Sequence, residues 1–271
     1  MASLLRRRAA MAGAACACAL QTRRAASERR EGRSRVLITG FHDWRDVGSN
    51  VWRCRDNPSC RLLLGPPCAS PPIMRDGPLV HELKKTSPRA CIHYVTLPVG
   101  WGAASGLDLS GYDVVVHIGL GVYEGHTTLL LEKGAYNERR GTDASNHAPP
   151  EHTIESGAPQ ELYSRTMTSN YDALEGTELP GGFELKLVGA RPQNAFLCNE
   201  THYRALKAVD AHASSLTYPG PEAITHGPKA VYFLHIPYAR GGSEDNHVEL
   251  ATAVAALITR MVRLQEEANA R

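Results

Sequence analysis

The chain has 271 residues, of which 42% are hydrophobic and 21% are charged, so it can bury a sizeable core and is too apolar for a wholly disordered protein. Thirty basic and 28 acidic residues give +2, but five of the arginines lie in residues 1–27 together with no acid, so the remainder carries −3. A mildly acidic body argues against a protein that binds nucleic acid by neutralising phosphates. No apolar run of about 18 residues occurs, so no membrane-spanning helix is predicted.

Residues 1–34 are predicted to lie outside the fold, as a disordered leader or a targeting segment. The first 27 residues are rich in Arg and Ala and end in small residues, which is typical of a mitochondrial presequence. The alternatives are a secretory signal, because three arginines precede an Ala-rich stretch, and a dispensable leader with translation starting at Met11. The folded domain is predicted to span residues 35–271.

Cysteine and histidine spacing predicts neither a structural metal nor a disulfide framework. The seven cysteines are odd in number and form no CxxC pair, which favours a reducing compartment. The twelve histidines include no HExxH pattern, so no metal site is predicted. Three glycines between Gly119 and Gly125 have the wrong spacing for a dinucleotide-binding loop. We therefore expect no metal and no cofactor.

Strands and helices alternate along the predicted domain. Short apolar runs and one alternating run predict strands, helical periodicity predicts helices, and prolines indicate that residues 42–78 are irregular. The order implies a single α/β domain with helices on both faces of a sheet. The predicted strands are 35–40, 91–97, 113–119, 183–189 and 229–238, and the predicted helices are 79–85, 161–168, 198–211 and 244–267.

Cys198 is the first candidate for chemistry. It stands where an irregular Gly/Pro stretch gives way to a helical pattern, and the positive end of a helix favours a thiolate. The alternative is a small buried residue that packs at the start of the helix.

His235 and Glu132 are the partners that such a thiol needs. His235 lies at the end of a buried strand, where ligands gather in open α/β sheets and where a histidine can act as a general base. Glu132 follows three leucines, so it is expected to be partly buried and to need a partner. The alternatives are a core histidine and a surface glutamate, because spacing alone does not show proximity.

The contexts of these three residues resemble pyroglutamyl peptidase I, the pyrrolidone-carboxylate peptidases of the C15 family of cysteine peptidases. The resemblance runs in order from about Arg35 to the terminal helix. Its segments are Val36-Leu-Ile-Thr-Gly-Phe41, Leu97-Pro-Val99, Val115-Val-His-Ile-Gly119, Leu131-Glu-Lys-Gly-Ala-Tyr-Asn137, Phe196-Leu-Cys-Asn199 and Phe233-Leu-His-Ile-Pro237.

The resemblance implies a single three-layer α/β/α sandwich with a mostly parallel mixed sheet. It also implies a cysteine peptidase that removes an N-terminal pyroglutamyl residue from peptides, with Cys198 as nucleophile, His235 as base and Glu132 as the residue that orients the histidine. The implied partners are pyroglutamyl peptides, without nucleic acid, membrane or cofactor, and a homo-oligomer is left open. The family is generally cytosolic, so we expect the cytosol, with mitochondria as the alternative.

Departures from the family pattern concern the substrate pocket. The resemblance assigns the lactam-binding aromatic residues to Phe41, Trp44 and Phe196, and a further polar contact to Asn57. Trp44 stands where the family has a phenylalanine, and Asn57 follows an apparent insertion. Phe41 can equally be a core residue. The alternative functions are therefore a thiol hydrolase of different acyl specificity and a non-enzymatic binding protein with this fold.

Overall fold

The computed structural model describes residues 33–42, 57–65, 76–122, 126–217, 227–237 and 244–270. The predicted leader falls almost entirely outside these residues. Ser34, which the prediction placed in it, is buried and donates a hydrogen bond from Oγ to Glu266 Oε1 at 2.8 Å. Among the residues that the structure describes, none of the helices combines the length and the apolar character needed to cross a membrane.

The described segments form eight strands and five α-helices, with short 3-10 turns between some of them. In chain order these are β1 (Arg35–Phe41), α1 (Pro58–Leu64), α2 (Pro78–Thr86), β2 (Cys91–Leu97), β3 (Val114–Val122), β4 (Thr128–Glu132), β5 (Gly134–Tyr136), β6 (Glu161–Tyr163), α3 (Thr168–Asp172), β7 (Glu184–Val188), α4 (Leu197–Thr217), β8 (Ala230–Pro237) and α5 (Glu244–Asn269).

Six strands form the main sheet, in the order β2-β1-β3-β8-β4-β7. The first four are parallel to one another, whereas β4 is antiparallel to β8 and parallel to β7. The mixed, mostly parallel sheet confirms the predicted fold class. Strands β1 and β8 are buried along their whole length, which explains why they are continuous apolar runs without alternation.

Helices cover both faces of the sheet. On one face, α1 lies against β1, where a methyl group added to Gly40 would be 2.9 Å from the carbonyl oxygen of Ser59. Helices α2 and α5 pack against each other and α1 lies beside them. On the other face, α4 packs against β3 and β8 and against the small β5–β6 hairpin. This second face holds the candidate site.

Most predicted elements are confirmed, with two corrections. The predicted helix 161–168 is wrong at its start: residues 161–163 form β6, a 3-10 turn covers Arg165–Met167, and α3 begins only at Thr168. Residues 58–64, predicted to be irregular, form α1. The helix begins there because Pro58 occupies its first turn, where no backbone N–H is needed, and Asn57 caps it by accepting a hydrogen bond from Ser59 N.

Candidate active site

The pairing of the strands places four side chains in one row across the sheet, under α4. Thr39 pairs with His117, His117 with Phe233, and Phe233 with Glu132, so the row crosses β1, β3, β8 and β4. Residues paired in this way point to the same face. His235 lies two residues beyond Phe233 on that face. Residues far apart in the sequence therefore converge on one patch of the sheet.

Glu132 and His235 are in contact in this patch. Nδ1 of His235 lies 3.0 Å from Oε1 of Glu132, and the two side chains are 4% and 1% exposed. A carboxylate at Nδ1 holds the imidazole ring in one orientation and leaves Nε2 as the nitrogen that can accept a proton. The contact joins two of the three residues that the sequence singled out.

Two glycines of β3 make room for Cys198 and His235. A methyl group at Gly119 would lie 2.9 Å from Sγ of Cys198, and one at Gly121 would lie 2.4 Å from Cδ2 of the His235 ring. The pairing of β3 with β8 shifts register between Leu120 and Val122, so the regular alternation of faces is interrupted at Gly121. The close approaches at Gly119 and Gly121 place the thiol and the imidazole over two nearby positions of β3.

Cys198 lies in the first turn of α4, as predicted, but the lowered pKa expected for a thiol at the positive end of a helix is wrong. Burial raises its pKa to about 12, the negative charge of Glu132 adds to the rise, and a hydrogen bond with its own backbone opposes it. A thiol of this kind becomes a nucleophile when a neighbouring base takes its proton.

Asn199 fixes the start of α4 and thus the position of Cys198. Its Oδ1 accepts a hydrogen bond from Tyr136 N at 2.7 Å, and its Nδ2 donates to Tyr136 O at 2.6 Å and to Glu138 O at 3.0 Å. The side-chain amide thus pairs with the β5 backbone as a neighbouring strand would. Asn199 lies in the Phe196–Asn199 segment, but no pattern in the sequence indicated its role.

Glu200 ties α4 to the rest of the site. Its Oε1 accepts hydrogen bonds from Arg139 and Arg204, and its Oε2 accepts one from Gly102 N at 2.9 Å. Burial opposes the charged form, but these hydrogen bonds and the two guanidinium charges lower the pKa of Glu200 below its usual value. Glu200 thereby links the start of α4 to Gly102 and Arg139, while Asn199 links it to Tyr136.

Arg191 also reaches the site. Its Nη2 lies 2.9 Å from Oε1 of Glu132, the same oxygen that contacts His235. No pattern in the sequence indicated this contact, because Arg191 lies 59 residues from Glu132 in an irregular stretch.

Two further buried histidines lie beneath the candidate site. His117 and His202 are each 1% exposed, and their rings lie 6.1 Å and 5.9 Å from the ring of Phe233. Burial lowers the pKa of each to about 3, so both are neutral at physiological pH. Thr39 Oγ1 lies 2.7 Å from Nδ1 of His117. No pattern in the sequence indicated a role for His117 or His202.

The predicted substrate-binding residues occupy different environments. Phe41 is buried against Leu97, Leu197 and Phe233. The Asn57 amide caps α1 and donates to His42 O at 2.7 Å. Trp44 lies outside the described residues. Their role in binding substrate stays a prediction.

Phe196 differs from Phe41 because it is 38% exposed, directly before the helix that carries Cys198. Its ring meets that of Trp101 edge-to-face, with centroids 5.5 Å apart. Trp101 was not singled out from the sequence, although it follows the Leu97-Pro-Val99 segment by two residues. The pair forms a partly open aromatic surface just before the helix that carries Cys198.

A cavity of about 490 Å³ lies elsewhere, between α4 and residues 104–110, and its lining includes His117 and Arg204, the partner of Glu200. The lining of this cavity does not include Cys198, His235 or Glu132, so the cavity is separate from the candidate site. Within the described part of the chain, no group of three or more His, Cys, Asp or Glu side chains is arranged to hold a metal ion.

Solved structures with this fold are known, although no family model and no curated protein sequence matches the chain. Pyrrolidone carboxyl peptidase from the hyperthermophile Pyrococcus furiosus is 20% identical, with a TM-score of 0.50 over 86% of this chain and 98% of that chain. Pyroglutamyl peptidase I from Bacillus amyloliquefaciens is 16% identical, with a TM-score of 0.50 over 84% and 97%. The structural resemblance to this family, first indicated by the sequence, is thus confirmed, and the chain has the fold of the pyrrolidone carboxyl peptidases.

Proposed function

We propose that the protein is a cysteine peptidase that hydrolyses the N-terminal pyroglutamyl residue of peptides. The observation that carries the proposal is the contact between His235 Nδ1 and Glu132 Oε1 beside the Cys198 thiol. These are the three residues to which the sequence resemblance assigns the roles of base, orienting group and nucleophile. The fold shared with pyroglutamyl peptidases supports the same function.

The proposed mechanism follows from the protonation of the resting groups. His235 Nε2 takes the proton of Cys198 as sulfur attacks the pyroglutamyl carbonyl carbon, because the thiol is protonated beforehand. The imidazolium then gives this proton to the leaving amine as the peptide bond breaks, which leaves a thioester. Glu132 stabilises the imidazolium throughout. Water, deprotonated by His235, hydrolyses the thioester and restores the thiol.

The test is turnover of a pyroglutamyl–aminocoumarin substrate in reducing buffer, with an alanyl–aminocoumarin substrate alongside. Cys198→Ser is expected to lower kcat/KM by at least on the order of 10³-fold. Cys91→Ser is the matched control, since Cys91 also lies beside a histidine, with its Sγ 3.4 Å from His93 Nε2, but on the edge strand β2. That variant is expected to keep wild-type activity.

A thiol hydrolase of different acyl specificity is the second candidate. The burial of Phe41 and the use of the Asn57 amide as a helix cap favour it, because both residues were expected to face the lactam. Turnover of the alanyl but not the pyroglutamyl substrate would establish this candidate. No turnover, with Cys198 no more reactive towards iodoacetamide than Cys91, would overturn both and leave a binding protein.

Pyroglutamyl peptides as substrates and the cytosol as the site of action belong to the same proposal. The mitochondrial alternative depends on residues 1–34 and is tested by locating the full chain and its Arg6, Arg7 and Arg8 variants in fractionated cells.

A further inference from the structure

We propose that Arg191 is a positioning residue that shares Glu132 with His235 and limits how strongly Glu132 stabilises the protonated imidazole. The catalytic consequence rests on the proposed function, whereas the electrostatic effect on His235 does not require turnover.

The contacts of Glu132 are concentrated on one of its two oxygens. His235 Nδ1 lies 3.0 Å and Arg191 Nη2 lies 2.9 Å from Oε1, whereas Oε2 is buried without a hydrogen-bond partner among the described residues. The same atom therefore has to orient the base and to hold a guanidinium. Negative charge that is drawn towards Arg191 is less available to an imidazolium at His235.

The backbone holds Arg191 at this place. Strand β7 pairs in parallel with β4, with Val188 opposite Glu132, and Arg191 follows three residues later. Pro192 restricts the residue before it to extended backbone, and Arg191 has φ −150° and ψ 140°. Its carbonyl accepts a hydrogen bond from Asn194 N at 3.0 Å. The side chain is 37% exposed, so solvent screens the ion pair in part.

Arg191 is also the permanent cation among the described groups that face the Glu132–His235 pair. Burial raises the pKa of Cys198 on α4 to about 12 and raises that of Tyr171 on α3 well above its usual value, so both are neutral. Burial lowers the pKa of His202 on α4 and of His117 on β3 to about 3, so both are neutral as well.

Removal of the Arg191 charge has one expected sign. Without the cation, the Glu132–His235 pair binds a proton more readily, whichever of the two residues carries it. Arg191→Gln is therefore expected to raise the pH midpoint of the His235 ring resonance by on the order of one pH unit. Arg191→Lys keeps the charge and is expected to stay close to wild type.

Histidine-selective NMR measures this midpoint in the whole protein, with the His235 resonance assigned from its absence in His235→Gln. The control is Arg140→Gln, since Arg140 forms a 2.8 Å ion pair with Glu138 at the surface. An upward shift in Arg191→Gln, absent in Arg191→Lys and Arg140→Gln, supports the proposal. Equal midpoints in wild type and Arg191→Gln overturn it.

Activity separates this inference from the proposed function. If the wild type hydrolyses the pyroglutamyl substrate, the acid limb of its kcat/KM profile is expected to move upward in Arg191→Gln with the NMR midpoint. If no variant shows turnover but the midpoint shifts, the proposed function fails and the role of Arg191 stands. If the pyroglutamyl substrate is hydrolysed but the His235 midpoint does not move in Arg191→Gln, the proposed function stands and the role of Arg191 fails.

Discussion

Single side chains determine where Cys198, the candidate nucleophile, lies. Asn199 makes three hydrogen bonds of 2.6–3.0 Å to the backbone, two with Tyr136 of β5 and one with Glu138 beyond it, directly after Cys198 in the chain. An asparagine can donate and accept at once, which a strand edge requires. We therefore expect Asn199 to affect the candidate site by holding the start of α4, and with it Cys198, in place.

Asn199→Ala is expected to lower the free energy of unfolding by about 2–3 kcal/mol, because a buried N–H and buried carbonyls lose their partner. Asn199→Asp is expected to be worse, since a carboxylate would face the carbonyls of Tyr136 and Glu138 without a proton to donate. Urea denaturation of both variants measures the difference. Wild-type stability in Asn199→Asp would contradict the assigned hydrogen-bond directions.

At the scale of the element, β3 has glycines where other side chains pack against it. Gly119 and Gly121 lie at the positions where Cys198 and His235 approach the sheet, and neither position leaves room for a methyl group. Glycine normally weakens a strand. Here it allows the side chains of Cys198 and His235 to lie against the backbone.

Gly121→Ala is expected to displace the His235 ring and to lower kcat/KM for the proposed substrate by on the order of 10²-fold. Overpacking is also expected to cost about 1–3 kcal/mol of unfolding free energy. Gly106→Ala is the control, because a methyl group there meets nothing within 4 Å. Full activity in Gly121→Ala would show that His235 does not work from the position seen here.

The sequence predicted those elements whose pattern is strong on its own. Strands β1, β3 and β8 were predicted because they are continuous apolar runs, and α4 and α5 because they have clear apolar faces. The structure confirms all five. Strand β4 was not predicted, because three leucines within a five-residue segment are too short a run to indicate a strand, and the segment owes its place to pairing with β7 and β8. Helix α1 depends on a local cap that the surrounding prolines obscured.

In the candidate site, too, only residues with a recognisable local pattern were predicted. Glu132, Cys198 and His235 were identified because their local contexts resemble a known family, whereas their contacts depend on strand register. No spacing in the chain indicates the contacts of Arg191, Trp101, Gly119 and Gly121, because their partners are distant in the sequence. Phe41 and Asn57 were recognised as part of a motif, but their packing could be seen only in the folded chain.

At the scale of the whole molecule, buried neutral histidines couple stability to pH. His117 and His202 have a pKa of about 3 in the native state, against an ordinary value of 6.5. The unfolded chain therefore binds protons below pH 6.5 that the folded chain does not. Stability from this source is present above pH 6.5 and is lost as the pH falls towards 3, by about 2 kcal/mol per histidine at pH 5.

His202→Gln is expected to reduce the loss of unfolding free energy between pH 7 and pH 5 by about 2 kcal/mol, even if the variant is less stable at both pH values. His81→Gln, which changes an exposed histidine of α2, is expected to leave the loss unchanged. Denaturant titrations at the two pH values measure it. An identical pH dependence in wild type and His202→Gln would show that His202 is protonated in the folded protein.

The position of β8 has a consequence for how the protein is made. This strand is the last of the sheet in the chain, yet it lies between β3 and β4, so the sheet stays divided until it arrives. While the ribosome still holds β8, the facing edges of β3 and β4 lack their neighbour and are open to pairing with other chains. Strand β8 also carries His235, so a prematurely terminated chain that ends before it holds Cys198 and Glu132 without the histidine that contacts Glu132.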